Sequence, residues 1–252
     1  MSRYICPLCS NPHLRLSDMS PTIESIYREV DDLVDDCNCQ EAYKKLVSMC
    51  DFVNDKAEWH RKCAEVCYMV SNMEEKDQER VEWLKTGRQH ALDAHELNPV
   101  SVPILKILCS TTGRLAEESG IREKISLGFE FKTYLDRAVA LDPLSFELLH
   151  MRGRFQYQVA NLSFFERLAA RAIGTLPPTS LDSALTDLLE LRFSPCKNRL
   201  YIGRVLHAKG DYITAKKWLA QAASASCDED EPVEREHIEA ARELLLSRVY
   251  QK

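Results

Sequence analysis

The sequence has few residues that break helices, and it lacks a long apolar run. Eight glycines and ten prolines in 252 residues are too few for a β-rich chain full of tight turns. No apolar run reaches the about 18 residues of a membrane-spanning helix, and Met1–Pro21 lacks the apolar core of a signal peptide. Leu, Ala, Glu, Lys and Arg dominate, and 45% of the residues are apolar. The composition therefore predicts an all-helical protein with a sizeable core.

The ten cysteines do not have the pattern of a disulfide framework. They are scattered along the chain, and Cys63 and Cys67 lie four residues apart within a helical pattern. Reduced thiols in the cytosol or nucleus are therefore expected. Cys50, Cys63, Cys67 and Cys109 are predicted to behave as small buried apolar side chains.

The first cysteines, in Cys6-Pro7-Leu8-Cys9 with His13, suggest a zinc site. A structural zinc site needs four ligands. The next candidates, Cys37 and Cys39, lie inside a predicted helical hairpin, and their C-x-C spacing is poor for zinc. We therefore predict no metal site, and we expect residues 1–20 to be a flexible tail.

Motifs of catalysis are missing as well. The chain has no glycine-rich phosphate loop and no G-x-S-x-G, and His95-Glu96-Leu97-Asn98-Pro99 does not complete the HExxH zinc motif. The sequence therefore predicts a non-enzymatic protein without a cofactor.

The best-patterned stretch is Asn198–Ala223, which predicts two short helices around Gly210-Asp211-Tyr212. It matches the tetratricopeptide pattern W-x2-L-G-x2-Y followed by A-x3-F, except in the aromatic first slot. Gly203 and Ala215 fall where the two helices of such a hairpin cross closely. A hairpin of this kind cannot bury its apolar face alone, so neighbouring hairpins must stack on it.

The rest of the chain supplies such neighbours. Helical patterns pair along residues 21–252, and Asn98-Pro99, Asp142-Pro143 and Ser194-Pro195 end successive units because a residue before proline avoids the helical region. An insertion at about residues 161–178 interrupts the fourth hairpin. A last helix from about Asp230 to Tyr250, with Val249 inward, caps the open end. The predicted fold is an all-α superhelical solenoid of about five degenerate tetratricopeptide-like hairpins plus a C-terminal capping helix, forming a single domain.

The segments Leu162–Leu191 and Asn198–Ala222 resemble the regulator of microtubule dynamics family. The resemblance is strong over about residues 145–245, weaker over 22–144, and does not cover the first 20 residues. It implies a tetratricopeptide-like fold, microtubule association and a role at mitotic spindles. Some members carry an N-terminal membrane anchor, work at organelle contacts and are linked to phospholipid binding. This chain shows no such anchor, which favours the soluble, cytoskeletal branch.

Charge is unevenly distributed. Between His150 and Lys217, eleven Lys and Arg face five Asp and Glu, so this window carries +6 in a chain of −6. The first helix of each hairpin lines the concave groove of such solenoids, and helical spacing from Gly153 and Gly203 selects the groove candidates. They are His150, Arg154, Tyr157, Lys197, Arg204 and His207. Two interpretations stay open: a basic, aromatic groove for an acidic segment such as a tubulin tail, or a solvated face without a partner.

The insertion contains a short amphipathic stretch with Phe164, Phe165, Arg167 and Arg171. Such a stretch can lie on a membrane surface or a partner. The more frequent outcome, and our prediction, is that it folds back and plugs the groove.

Together with these features, the family resemblance implies a non-enzymatic, microtubule-associated interaction protein that regulates microtubule dynamics. Microtubules and tubulin tails are the expected partners, with other spindle proteins and no nucleic acid. The expected location is the cytoplasm, on the cytoskeleton at the spindle and spindle pole, with a role in chromosome segregation. The alternatives are a phospholipid-binding or organelle-contact protein that uses an apolar cavity and the insertion, and a generic peptide-binding adaptor.

Overall fold

The structure is a computed structural model that describes residues 22–190, 197–225 and 232–251. Within these ranges the chain forms twelve α-helices, a 3-10 turn at Cys50–Phe52 and no strand. The helices are α1 (Ile23–Asp35), α2 (Cys39–Ser48), α3 (Lys56–Met73), α4 (Asp77–Leu97), α5 (Val102–Glu117), α6 (Ile121–Leu141), α7 (Phe146–Ala160), α8 (Phe164–Ile173), α9 (Leu181–Glu190), α10 (Lys197–Ala208), α11 (Tyr212–Ala223) and α12 (Pro232–Leu245). The expected tail at residues 1–20 lies outside the described residues.

The helices pack in pairs. Extensive contacts join α1 to α2, α3 to α4, α5 to α6, α7 to α9 and α10 to α11, while α12 packs on α11 and α10. Neighbouring pairs contact each other in chain order. This arrangement confirms the predicted all-α solenoid of five hairpins with a C-terminal capping helix. The predicted insertion corresponds to α8 and its flanking segments, and α8 packs on α6.

Side-chain caps start several of the helices. The Thr22 hydroxyl accepts from the Ser25 backbone N–H at 3.1 Å before α1, and Asp211 accepts from Thr214 at 3.1 Å before α11. Ser163 and Glu166 form a reciprocal capping box at α8. These oxygens satisfy N–H groups that have no partner inside a helix.

Two helix ends confirm the role of the Asn-Pro and Asp-Pro pairs. Asn98 and Asp142 leave the helical region with nearly equal backbone angles, φ −142° and ψ 83° against φ −138° and ψ 79°. In both, the residue after the helix still donates its N–H to a carbonyl four residues back, at 2.9 Å. The following proline stops the helix there.

Glycines lie at close crossings between helices. A Cβ added at Gly203 would lie 2.7 Å from the Leu219 side chain, and one at Gly153 would lie 2.7 Å from the Leu188 side chain. Gly87 plays the same part between α4 and α3, because its Cβ would lie 2.9 Å from the Cys67 Cβ. The predicted close contact at Gly203 is therefore confirmed, with Ala215 fully buried beside it.

Buried residues form successive clusters along the array rather than one central core. The C-terminal cluster joins α9, α10, α11 and α12 through residues such as Leu188, Leu200 and Ala241. The last helix ends at Leu245, earlier than predicted, and Tyr250 is buried while Val249 is 37% exposed. The inward placement of Val249 is therefore wrong, because helical periodicity stops applying after Leu245. Among the described helices, none is long and apolar enough to cross a membrane.

Candidate partner-binding groove

A large groove of about 1310 Å³ runs along the inner side of the solenoid. The first helices of all five hairpins contribute to its wall, through residues such as Asp35 on α1, Tyr68 on α3, Gly113 on α5, Met151 on α7 and Tyr201 on α10. Its remaining walls come from the start of α2, from α6, from the insertion and from α12. The expectation that first helices line the groove agrees with this arrangement.

Two arginines and one tyrosine form the polar centre of the groove. The Arg154 guanidinium carbon lies 4.5 Å from the centre of the Tyr201 ring, and that of Arg204 lies 5.3 Å from it. Tyr201 is only 4% exposed, and burial raises the pKa of its hydroxyl. A guanidinium on an aromatic face gains about 0.5–2 kcal/mol from the ring quadrupole. The tyrosine therefore holds both cations on the groove wall.

Carboxylates of the same chain already bind two of the groove's arginines, Arg154 and Arg114. Arg154 Nη2 donates to Glu117 Oε1 at 2.8 Å, and Arg114 Nη1 donates to Glu236 Oε1 on α12 at 3.2 Å. Glu236 thus ties the last helix to α5 across the groove. His237 of the same helix lies edge-on to Tyr201, with ring centres 5.6 Å apart.

The lining is electrically balanced rather than strongly basic. Its charged residues are Arg114, Lys124, Arg154 and Arg204 against Asp35, Glu117, Glu147 and Glu236. The basic character predicted from the His150–Lys217 window is therefore local. Glu117 and Glu236 were missed because they come from α5 and α12, which lie outside that window and approach it only in the folded chain.

Three of the six predicted groove residues line the groove: His150, Arg154 and Arg204. His150 hydrogen-bonds through Nδ1 to the Asn198 amide oxygen, and its ring lies edge-on to Tyr201 at 5.6 Å. This contact brings α7 and α10 together at the groove wall.

The other three lie elsewhere or are not described. Tyr157 packs against the C-terminal core cluster, with its ring centre 6.5 Å from that of Tyr201. The His207 Nδ1 lies 2.7 Å from the Tyr250 hydroxyl, so the end of the chain covers this side of α10 and His207 does not line the groove. The side chain of Lys197 lies outside the described residues.

The insertion presents its aromatic residues to solvent. Phe164 is 76% exposed and Phe165 is 73% exposed, while the groove is lined instead by Ala170, Leu176 and Pro177. Lys124 Nζ on α6 donates to Glu166 Oε1 at 3.1 Å and fixes the other side of α8. The prediction that the insertion plugs the groove is therefore wrong for its aromatic residues, which are exposed to solvent. The later part of the insertion lines the groove instead.

The two arginines of α8 differ. Arg167 donates to the Ala160 carbonyl at 2.7 Å and to the Leu162 carbonyl at 3.0 Å, so it closes the turn before α8. Arg171 is exposed beside the apolar face. Only Arg171 is thus placed to meet an anionic surface.

The buried thiols are poorly suited to nucleophilic chemistry. Burial raises the pKa of Cys63 to about 12 and that of Cys109 to about 12, and it also raises the pKa of Cys67. A thiol must be deprotonated to act as a nucleophile. The prediction that these three cysteines are buried is confirmed, whereas Cys50 is only half-buried.

The hairpin array, the glycine crossings and the long inner groove define a tetratricopeptide-like protein. A solved structure agrees with this class: a thermophilic tetratricopeptide protein of Thermus thermophilus superposes with a TM-score of 0.58 over 88% of this chain and 99% of its own, at 15% identity.

The family model described as regulator of microtubule dynamics protein 1-3 matches residues 26–249, and the chain belongs to this family. Regulator of microtubule dynamics protein 1 of Caenorhabditis elegans is 33% identical over 62% of this chain and 70% of its own length. Regulator of microtubule dynamics protein 3 of Xenopus laevis is 27% identical over 73% of this chain, and the match spans only 41% of that relative.

Proposed function

We propose that the protein is a non-catalytic, microtubule-associated interaction protein that binds an acidic segment, such as a tubulin tail, in its inner groove. The observation that carries the proposal is the pair of arginines on Tyr201, each within 5.3 Å of the ring centre. The microtubule part rests on the names of the family's members. A role at the spindle in chromosome segregation, within the cytoplasm and cytoskeleton, is the finer form of the same proposal.

The groove chemistry suits a carboxylate ligand. Arg154 and Arg114 already bind Glu117 and Glu236 of the same chain, so the site accepts carboxylates at hydrogen-bond distance. Among the described residues Arg204 forms no ion pair, and its guanidinium lies on Tyr201. An incoming acidic segment would therefore pair first with Arg204 and then compete with Glu117 for Arg154.

This competition predicts weak, salt-sensitive binding. Charges in a solvent-filled groove are screened over about 8–10 Å at physiological ionic strength. Since the whole chain carries −6, long-range attraction to an acidic microtubule surface is not expected. The local arginines must provide the affinity.

Co-sedimentation with stabilised microtubules at rising salt tests the proposal. Wild-type protein is expected to pellet at low salt, and Arg154→Gln with Arg204→Gln is expected to lose most of that binding. The matched control is Lys85→Gln with Lys217→Gln, which removes the same charge from exposed positions that do not line the groove. Equal loss of microtubule binding in both double variants would mean that only net charge matters. No loss of binding in the arginine double variant would overturn the proposal that the groove binds the acidic segment.

An apolar ligand is the second candidate, and the exposed face of α8 favours it. Phe164, Phe165 and Leu168 are 58–76% exposed, with Arg171 beside them. Phe129, Phe131 and Phe155 meanwhile line a groove large enough for an acyl chain. A phospholipid surface would contact the first set, and a single lipid the second.

Flotation with anionic vesicles separates these possibilities. Phe164→Ser with Phe165→Ser should abolish flotation if α8 contacts the membrane. Leu144→Ser with Ile213→Ser is the control, because these residues are similarly exposed, at 84% and 77%, elsewhere on the surface. Native mass spectrometry of the purified protein reports a lipid retained in the groove. An empty groove together with no flotation would remove this candidate.

A further inference from the structure

The second hairpin contains three potential metal ligands on facing helices, away from the groove. His60 lies on α3, and His90 and Asp93 lie three residues apart on α4. Their ligand atoms all lie within 4.8 Å of one another. His60 Nδ1 lies 3.0 Å from His90 Nδ1 and 3.7 Å from the Asp93 Oδ2 oxygen.

We propose that His60, His90 and Asp93 bind a divalent transition metal ion, with Zn²⁺ the best match. Tetrahedral zinc has Zn–N and Zn–O bonds of about 2.0–2.2 Å, so its ligand atoms lie roughly 3.3–3.5 Å apart. The observed separations of 3.0 and 3.7 Å bracket that value. Two imidazoles and a carboxylate leave the fourth position to water, and the ion would join α3 to α4.

Neighbouring side chains already orient the ligands. The Tyr43 hydroxyl lies 3.1 Å from His90 Nε2, which leaves Nδ1 of that ring directed at His60. Gln89 donates to Asp93 Oδ1 at 2.8 Å and leaves Oδ2 toward the site. Metal-binding histidines and carboxylates commonly have their second polar atom fixed in this way.

The surroundings are partly enclosed. The Trp59 ring lies edge-on to both imidazoles, 4.7 Å from that of His60 and 5.5 Å from that of His90. Burial lowers the pKa of both histidines, and neutral imidazole is the form that binds metal. Lys56, the nearby cation on α3, donates to the Cys50 carbonyl. The Asp93 side chain remains 37% exposed, which provides a route for the ion.

The competing explanation is a metal-free hydrogen bond between the two imidazoles. It accounts for the 3.0 Å separation, and in it Asp93 accepts from Gln89 and lies as a carboxylate 3.7 Å from His60 Nδ1. The two explanations differ in what Zn²⁺ does to the protein, because an ion bound only by the folded state raises the melting temperature.

Zn²⁺ titration of the chelator-treated full chain, by calorimetry and thermal melting, provides the test. Wild-type protein is expected to bind one ion at this site and to melt at a higher temperature with it. His90→Gln and Asp93→Asn should each lower the affinity on the order of tenfold or more. His95→Gln is the matched control, since His95 is a half-buried histidine one turn further along α4 that belongs to no such cluster among the described residues.

Zinc binding by thiols needs a separate control, because Cys6 and Cys9 are also potential zinc ligands. Cys6→Ser with Cys9→Ser should leave the affinity of this site unchanged. His60→Gln is the third ligand variant, and circular dichroism checks that each variant folds. Unchanged Zn²⁺ affinity in folded His90→Gln and Asp93→Asn, or no binding in the cysteine variant, would overturn the proposal.

Discussion

The hairpins α7/α9 and α10/α11 cross in the same way but are connected very differently. Gly153 meets Leu188 and Gly203 meets Leu219, both at 2.7 Å from an added Cβ. The connection between α10 and α11 is only three residues long, 209–211. The connection between α7 and α9 spans residues 161–180 and contains α8. The contact at the helix crossing is therefore what the two repeats share, and a hairpin tolerates a longer connection between its helices. Each doubling of a flexible loop costs only about 0.6 kcal/mol.

The two hairpins also use different chemistry beside the crossing. Superposing the crossings makes Gly153 equivalent to Gly203, 50 positions later, and Leu188 equivalent to Leu219, 31 positions later. The residue before each then gives two further equivalent pairs, Arg152 with Ile202 and Asp187 with Trp218. Arg152 binds Asp187 through two hydrogen bonds of 2.7 Å. Ile202 and Trp218 belong instead to the apolar C-terminal cluster. An ion pair can thus replace apolar packing at one repeat without changing the crossing.

The largest expected effect comes from filling the crossings. Gly203→Leu and Gly153→Leu should each destabilise the fold by about 3 kcal/mol or more, because each overpacks a closed contact. Chemical denaturation measures the change. Gly128→Ala is the control, since no atom lies within 4 Å of its added Cβ, and it should stabilise α6 by up to about 1 kcal/mol. A large loss at only one crossing would contradict their equivalence.

Breaking the ion pair should have the next largest effect. Asp187→Ala leaves Arg152 without its bidentate partner and should cost about 2 kcal/mol, less than for a fully buried pair because Arg152 is 33% exposed. Arg152→Met with Asp187→Leu should recover most of this loss, as apolar residues do at the equivalent positions of α10/α11. A double variant less stable than Asp187→Ala would show that the two hairpins are not interchangeable.

The tight turn of α10/α11 should be sensitive to backbone conformation. Gly210 has φ of +82° and nothing within 4 Å of an added Cβ, so only the left-handed backbone disfavours a side chain there. Gly210→Ala should cost about 1 kcal/mol, and Gly210→Asn should cost less. Thermal melting of the three proteins checks this order. Equal stability of all three would mean that the turn relaxes.

The smallest effect is expected at α8, the helix that α10/α11 lacks. Hydrogen bonds from Ser163, followed by the contact with Lys124, lower the pKa of Glu166 to about 2. Because this pKa lies below the unfolded value of about 4.3, the stabilisation is complete above that pH and disappears as the pH falls toward 2.

Glu166→Gln should therefore increase hydrogen exchange in α8 at neutral pH, by an amount corresponding to roughly 0.5–1 kcal/mol. The difference from wild type should shrink as the pH falls below about 4.3. Exchange that differs equally at pH 7 and pH 2.5 would point to a lost packing contact instead of a lost charge.

Sequence patterns predicted the array well, because its signals are local. Asn98 and Asp142 end helices through the proline that follows, and Gly203 shows its role by its spacing within one hairpin. The groove was predicted only in part. Arg154 and Arg204 follow from helical spacing, but His207 is covered by Tyr250, a residue 43 positions away that no periodicity connects to it.

Local signals in the sequence were enough to place most helix boundaries and the pairing within hairpins, since caps, prolines and small residues act over a few positions. They placed the end of α12 near Tyr250 rather than at Leu245. What faces the groove depends on tertiary packing, because superhelical stacking brings Glu117 and Tyr201 of two hairpins together with Glu236 of the capping helix. The same reason applies to His60 and His90, which meet only when α3 packs on α4. The charges counted along residues 150–217 predicted a basic groove. In the folded chain, acidic residues from other helices balance those charges, and two arginines lie on the ring of Tyr201.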